Sequence, residues 1–426
     1  MHSAPRLSES STPDPGLTAT TANGGPPQTI TVPGSSVSVS VPEDSQVKLE
    51  CNPQLNAPLE NLPPEIRLQL LFTLGLAELR ALVSASPVFH QQYVLDRMSV
   101  LRRCLETTLR SVTADAFAVY QSGSPDFPKT HTNDMVAEFL ESHQRRRSST
   151  QYSGFTEALT ENEVVGMAAF HSSIIEPFMQ HYSSWALANL ENSAKDSQNH
   201  GPLSETEEIR LMRAFYLFQL CCNIFGPDRR EEYWVSAMSP EHDIFYKLFD
   251  MVGPRQTEAA HCIFTFAKEK YREILRDIYW DVHRKNPKFG GRRSEGLPVD
   301  PDGAFDALDN GWETDEIIEA TAARGLKLLH TVVFKIKDHT HLVSTMQQHV
   351  APCGSLEYDL TRRYYRSDLI RRWGFVMWDA PRLARTGLKE ILAQAVDWEG
   401  EWDDERGDNP LKDDYSSAEI EMFTTL

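Results

Sequence analysis

The amino-acid sequence predicts an all-α fold, and three observations support this prediction. Between Leu59 and about residue 397, apolar residues recur at three- and four-residue steps, which is the period of an amphipathic helix. Strand-like runs are few, and the best of them, residues 332–337, has helical patterns on both sides. Helix start signals are also visible, such as the capping-box pattern SETE that begins at Ser204.

The predicted helices follow one another with short breaks. In chain order they cover residues 60–74, 76–84, 88–112, 134–145, 161–192, 204–225, 242–251, 256–283, 314–350, 356–378 and 381–396. Within the third, the apolar stripe consists of Val94, Met98, Leu101, Leu105 and Leu109. Gly75 and Pro87 separate the first three segments, because glycine and proline are poor helix formers. Two hydrophilic breaks, residues 143–153 and 286–311, predict exposed loops.

Composition divides the chain into four regions. Residues 1–57 are rich in Ser, Thr, Pro and Gly with few bulky apolar groups, so we expect them to be disordered. Residues 58–95 form a short helical module, and residues 96–397 form an α-helical domain of unknown role. Residues 398–426 are an acidic tail.

The overall composition is typical of a soluble globular protein, with 40% hydrophobic and 24% charged residues in 426. A net charge of -19 argues against nucleic acid or an anionic membrane as the main partner, because long-range repulsion would oppose approach. Six scattered cysteines predict free thiols in a reducing compartment. The N-terminus lacks the apolar region of a signal peptide, and the apolar run 211–225 is too short to span a bilayer. We therefore expect a cytoplasmic or nuclear protein.

The first helix has an unusually wide apolar surface. Its start, Pro63-Pro64-Glu65, suits a first turn, where proline needs no hydrogen-bond partner and a carboxylate meets the positive end of the helix dipole. Ile66, Leu70 and Leu74 share one face, whereas Leu68 and Phe72 point to roughly the opposite side. Such an arc is too wide for a helix that rests on one neighbour. Either the helix is sandwiched inside its own domain, or one side is kept for another protein.

Residues 59–95 resemble an F-box. The resemblance rests on Leu62-Pro63-Pro64-Glu65-Ile66, Leu70, Leu74, Glu78-Leu79, Leu82-Val83 and Phe89. The sequence departs from the family pattern at Pro87, where the third helix should run on, and at Phe89, which replaces the usual Trp. Through LPPEIRLQLL, DIYWDVHRKNPKF and RRWGFVMWDAPRL, the chain is also similar to uncharacterised fungal F-box-like proteins, in which a helical region of unknown role follows the motif.

The resemblance implies a non-enzymatic adaptor that acts by proximity. Its module would dock on the Skp-type linker subunit of an SCF ubiquitin ligase in a helix-in-groove manner, while the rest of the chain presents an unidentified protein target. The implied partner-binding residues, as contact or support positions, are Leu62, Pro63, Pro64, Glu65, Ile66, Leu70, Leu74, Leu79, Leu82 and Val83. The alternative is a self-contained helical interaction or scaffold protein, without ligase association, in which this segment is only core.

Two metal sites can be considered, and neither is favoured. The best candidate ligands are His339, His341, His349 and Cys353. Structural zinc sites usually use Cys-x-x-Cys or His-x₃₋₅-His pairs, and neither spacing occurs here, so partly exposed histidines are the favoured interpretation. The acidic segment DPDGAFDALDNGWETDEIIE resembles a calcium loop, but Leu308 and Ile317 occupy positions that must supply oxygen. We predict no metal and no cofactor.

The segment LTRRYYRSDLIRRWGFVMW interleaves arginines with aromatic residues, a pattern that can bind single-stranded nucleic acid. Because acidic residues lie among them, a buried aromatic face lined by paired arginines is favoured, with a protein-binding surface as the alternative. The run RRRSST is similar to substrates of basic-directed kinases and makes Ser148 a phosphorylation candidate. Phosphate-loop, nucleophile-elbow, zinc-protease and Rossmann motifs do not occur, so the sequence predicts no enzyme.

Overall fold

The computed structural model describes residues 58–127, 132–148, 159–193, 201–226, 242–282, 318–336 and 368–387. Of these residues, 84% are helical and none lies in a strand, which confirms the predicted all-α fold. The predicted tails, residues 1–57 and 398–426, lie outside the described residues. Within the described ranges, no helix is both long enough and apolar enough to cross a membrane.

α-Helices account for most of the described residues. In chain order they are α1 (Pro64–Thr73), α2 (Leu76–Ala85), α3 (Pro87–Leu95), α4 (Arg97–Leu109), α5 (Thr113–Ser122), α6 (Asn133–Ser148), α7 (Glu161–Phe170), α8 (Glu176–Ser193), α9 (Glu205–Phe225), α10 (His242–Val252), α11 (Pro254–Val282), α12 (Leu326–His330), α13 (Asp368–Arg372) and α14 (Ala380–Arg385). A first π-turn, His171–Ile175, joins α7 to α8, and a second π-turn, Thr331–Lys335, extends α12.

Several predicted boundaries differ from the structure for local reasons. The run 88–112 is two helices, because Asp96, with φ -113° and ψ 24°, leaves the helical conformation. The predicted helix 314–350 is interrupted at Gly325, whose φ of 88° is favourable only for glycine. The strand-like residues 332–335 lie in the second π-turn instead. The predicted loop at 143–153 is wrong for residues 143–148, which continue α6 and include the fully buried His143.

Helix α9 lies at the centre of the fold and contacts α5, α8 and α11. Phe215 of α9 stacks on Phe178 of α8 with ring centroids 6.0 Å apart, and Phe178 meets Phe266 of α11 edge to face at 6.2 Å. Aromatic pairs of this kind add about 0.5–1.5 kcal/mol beyond the area that they bury. The apolar run 211–225 therefore forms the middle of the core, as expected of a buried soluble helix.

The α1–α3 module, which we define as residues 58–95, shares its core with α4. Leu71 of α1 is fully buried in the same apolar cluster as the inner face of α4. Two hydrogen bonds hold the corner between α1 and α2 on α4. The thiol of Cys104 donates to the backbone oxygen of Leu71 at 3.3 Å, and the backbone N–H of Leu76 donates to Thr108 Oγ1 at 2.8 Å. The predicted division at residues 95 and 96 therefore does not separate two cores.

The cysteines among the described residues are free, buried thiols, namely Cys104, Cys221, Cys222 and Cys262. Burial raises the pKa of both Cys104 and Cys221 to about 12. These two thiols are thus uncharged at neutral pH and weakly nucleophilic. The interpretation of the adjacent Cys221 and Cys222 as packed thiols is confirmed.

Replacing Leu71 by alanine should destabilise the chain, because it leaves a cavity where α1 meets α4. We expect the free energy of unfolding in urea to fall by about 2–5 kcal/mol. The matched control is Ile66→Ala on the same helix. There the side chain is 50% exposed, and the expected loss is below about 1 kcal/mol. Equal losses for the two variants would contradict this assignment of the buried face.

Candidate partner-binding surface

The residues predicted to bind a partner differ in exposure. Pro63, Pro64, Glu65 and Ile66 are exposed, Leu62, Leu70, Leu74, Leu82 and Val83 are half-buried, and Leu79 is buried. Pro63 is the N-cap of α1 and Pro64 is its first residue, so the predicted helix start is confirmed. Leu71, which is fully buried, and Ile66, which is half exposed, lie roughly 140° apart around the helix. The apolar arc of α1 is thus divided between the core and solvent.

Exposed apolar side chains are concentrated in the module. Among the described residues, six large hydrophobic side chains are exposed, and four of them belong to residues 59–95. These four, which we call the outer apolar residues, are Leu59 (47% exposed), Ile66 (50%), Val94 (56%) and Leu95 (75%). Single exposed apolar residues are normal, but a concentration of them is typical of an interaction surface.

Sequence reasoning found only Ile66 among the outer apolar residues. Val94 was predicted to continue the apolar stripe of α4, and this is wrong because the helix ends at Asp96 and α3 takes a different direction. The side chain of Asp96 accepts a hydrogen bond from Gln92 Nε2 at 2.7 Å, across the last turn of α3. An aspartate between two helical patterns is a common helix boundary signal and could have indicated the break.

Pro87 begins α3 rather than interrupting it. Ser86 is the N-cap, and its Oγ accepts a hydrogen bond from the backbone N–H of Phe89 at 3.3 Å. The same hydroxyl donates to Glu60 Oε1 at 2.5 Å, and Arg67 Nη1 donates to the Glu60 backbone oxygen at 2.9 Å. These bonds fix the segment before α1, which carries Leu59, against the start of α3.

A second feature of the module is a solvent-open groove of about 470 Å³. One wall comes from α2, α3 and α4, and the other comes from α7 and the first π-turn. Leu79 and Val83, which were predicted to contact or support a partner, line this groove together with Tyr93. The predicted residues therefore do not share one surface, since Leu79 and Val83 line this groove whereas Ile66 is exposed on α1.

A buried ionic cluster around Asp115 joins α5, α6 and α9. Asp115 Oδ1 lies 3.3 Å from His143 Nε2 and 3.5 Å from Arg147 Nε, while Oδ2 lies 3.3 Å from Arg213 Nε. Burial alone would raise the pKa of Asp115, but His143 and the two arginines outweigh burial and hold the pKa below its ordinary value. The ionised carboxylate is paired with the two arginines and buried, so the cluster is suited to holding three helices together.

A second cluster is formed by the arginine-rich segment near residue 371. Arg371 donates to Glu258 Oε1 at 2.9 Å and to Oε2 at 3.3 Å, while Arg372 donates to Glu269 Oε1 at 2.7 Å. Trp373 is 3% exposed. For residues 368–378 of this segment, the predicted buried aromatic face with paired arginines is confirmed. The preceding residues of the segment lie outside the described ranges.

A third cluster attaches α14 to the start of α9. The predicted capping box is present, since Ser204 Oγ accepts from the backbone N–H of Glu207 and the Glu207 carboxylate accepts from the backbone N–H of Ser204. Arg382 donates to both oxygens of Glu207 at 2.8 Å, and the backbone N–H of Asp379 donates to Oε1 at 3.0 Å. One carboxylate therefore both caps a helix and binds a distant segment.

Among the described residues, no three His, Cys, Asp or Glu side chains are grouped so that they could hold a metal ion. The residues considered above as zinc ligands lie outside these ranges, and they are His339, His341, His349 and Cys353. The calcium-loop segment up to residue 317 also lies outside them. Ser148, the phosphorylation candidate, is exposed at the last residue of α6.

Comparison of the chain with known protein families, with curated proteins and with solved structures finds no match. A functional interpretation of the chain therefore depends on its own residues and geometry.

Replacing Glu207 by glutamine should weaken the fold and change its pH dependence. Burial alone would raise the pKa of Glu207, but Arg382 and the two backbone N–H groups outweigh it and hold the pKa below the ordinary 4.5. A lowered pKa contributes stability that is present above about 4.5 and is lost as the pH falls through the folded-state pKa. We expect Glu207→Gln to cost about 3 kcal/mol at neutral pH, since Arg382 stays buried without its partner.

Urea denaturation at neutral and acidic pH measures both effects. Acidification should destabilise the variant less steeply than the wild type. The control is Glu205→Gln on the same helix, because Glu205 is 69% exposed and its ion pair with Arg110 is at the surface. If the free energy of unfolding of Glu207→Gln falls with acidification as steeply as that of the wild type, the assigned role of this carboxylate is contradicted.

Proposed function

We propose that this chain is a non-enzymatic protein-interaction adaptor whose α1–α3 module binds a Skp-type linker subunit of an SCF-type ubiquitin ligase. The observation that carries the proposal is the division of α1, which buries Leu71 against α4 and leaves Ile66 half exposed. The F-box-like sequence of residues 59–95 gives the identity of the partner, and the concentration of outer apolar residues in the same segment supports a docking role.

The magnitudes are compatible with a helix-in-groove interface. Fully burying one large aliphatic side chain is worth about 1.5–3 kcal/mol, and a half-exposed side chain contributes less. A standard interface buries about 800 Å² on each partner. The four outer apolar residues are thus sufficient for its centre only, and the rim would be formed by exposed neighbours such as Pro63 and Glu65.

The adaptor would act by proximity. A bound linker would place the chain beside an activated ubiquitin carrier, and the helical region after residue 95 would hold a target within its reach. This mechanism needs no reactive group in the chain, and the buried ionic clusters around Asp115, Glu258 and Glu207 are suited to structural roles.

The second candidate is a self-contained helical interaction or scaffold protein without ligase association. The shared core of α1 and α4 favours this candidate, because a module that served only as part of the core would also bury Leu71 and Leu79. Linker binding distinguishes the two candidates, because both leave Ile66 available to a partner but only the adaptor binds a Skp-type linker there.

Replacing Ile66 by glutamate should abolish linker binding without unfolding the chain. The charge would be placed in an apolar interface, and we expect affinity to fall at least tenfold, which is about 1.4 kcal/mol. Co-expression with a Skp-type linker followed by gel filtration at micromolar concentration measures co-elution, and circular dichroism measures folding.

Met135→Glu is the matched control, because Met135 is 44% exposed but lies on α6. It should leave binding unchanged. If the wild-type chain and the linker elute separately, the adaptor proposal is wrong and the scaffold candidate remains. If the wild type and Ile66→Glu both co-elute with the linker, the assignment of the docking surface to the exposed side of α1 is wrong.

A further inference from the structure

The solvent-open groove has an apolar floor and three unused donors at its edge. Leu79, Val83 and Tyr93 form part of the floor. Arg80 lines the same groove, and within the described residues its guanidinium makes no hydrogen bond and no ion pair. The hydroxyls of Ser84 and Ser172, which also line the groove, make no hydrogen bond within those ranges. An occupant would therefore combine an apolar side chain with acceptor groups.

The charges around Arg80 limit the acidity of an occupant. Glu78 precedes it on α2, with its carboxylate folded back over Gly75. Glu176, at the start of α8, interacts electrostatically with both Arg80 and Glu78. These two carboxylates oppose additional negative charge, so an acidic run is disfavoured, and a single carboxylate can be accommodated only in direct contact with Arg80.

The opposite wall is a π-turn, which is rare and is frequently found at functional sites. The hydroxyl of Ser173 donates to the backbone oxygen of Ala169 at 2.6 Å, which ties the π-turn to the end of α7. Behind the wall, His171 Nδ1 lies 3.2 Å from the hydroxyl of Tyr216, and Ile175 is fully buried. The wall is therefore anchored in the core, and the groove is formed before any occupant arrives.

The groove is suited to a peptide. A volume of about 470 Å³ is within the range of small-molecule pockets, but those enclose most of their ligand, whereas this groove is open between two helical walls. An open groove with one apolar floor accommodates a few side chains of a chain that continues on both sides.

We infer that the groove binds a short peptide segment of a partner protein, with one bulky aliphatic or aromatic side chain on Leu79, Val83 and Tyr93 and one carboxylate paired with Arg80. In the proposed adaptor this segment belongs to the target, which would then contact α2 and α3 of the module as well as the helices after residue 95. Only the assignment of the peptide to a target rests on the proposed function. Peptide binding itself does not require a linker on α1.

The probe is a display library of random short peptides, selected on the full-length chain. Enriched peptides should share a bulky apolar residue and a nearby Asp or Glu. Their affinities are then measured by fluorescence anisotropy against the wild type and against Arg80→Glu, which should weaken binding about tenfold or more. Arg97→Glu is the matched control, because Arg97 is exposed on α4 and does not line the groove, and it should bind as the wild type does.

Two further variants test whether the peptides occupy the groove itself. Ala169 is exposed and lines the groove, so Ala169→Trp should block binding in a folded chain, whereas Ala77→Trp, exposed on α2 outside the groove, should not. Ile66→Glu should keep peptide binding even if it loses the linker. This variant therefore distinguishes a failure of peptide binding in the groove from a failure of linker binding, on which the proposed function depends.

Three outcomes of the peptide experiments would overturn the inference. They are the absence of enriched peptides, enriched peptides without the apolar and acidic pair, and affinities unchanged by Arg80→Glu and Ala169→Trp. A dimer of the wild type that Ala169→Trp converts to monomer would also overturn it, because the occupant would then be a second copy of the chain.

Discussion

The packing of α1 and α2 on α4 determines which side chains of the module remain available to a partner. Leu71 is inserted into the core, and the bonds from Cys104 and to Thr108 fix the corner where α1 ends and α2 begins. Once this corner is fixed, the helical period turns Ile66 outward and leaves Val83 beside the groove. The outer side and the groove are thus two consequences of one buried contact.

Buried charge joins the parts of the fold that are distant in sequence. Asp115 connects α5, α6 and α9, and Glu207 connects α9 to the segment around Arg382. A buried ion pair is a weak source of net stability, but it costs several kcal/mol when one partner is misplaced. In an acidic chain with many carboxylates, such pairs favour one arrangement of apolar helices over others of similar burial.

The sequence predicted features that depend on neighbouring residues and missed those that depend on distant ones. The start of α1 at Pro64 and the Ser204–Glu207 capping box are local, and both were found. The burial of His143 was missed, because its reason is Asp115 on another helix. Each π-turn adds one residue to a single helical turn, and the apolar pattern of so short a segment did not reveal this shift. At the candidate site, Ile66 was found by periodicity, but Leu95 required knowledge of the direction that α3 takes after Pro87.

A shared core between the module and the rest of the chain is itself compatible with an adaptor. An adaptor that works by proximity gains most when its two binding surfaces are held at a fixed distance, because a flexible connection lowers the effective concentration of the target. Here α2 supplies one wall of the groove, while α7 supplies the other and packs on α4. Arg102 of α4 also donates to the backbone oxygen of Leu159, just before α7, at 2.8 Å. The enclosure of Leu71 and Leu79 is therefore compatible with the proposed recruitment, because it would hold the two proposed surfaces at a fixed distance.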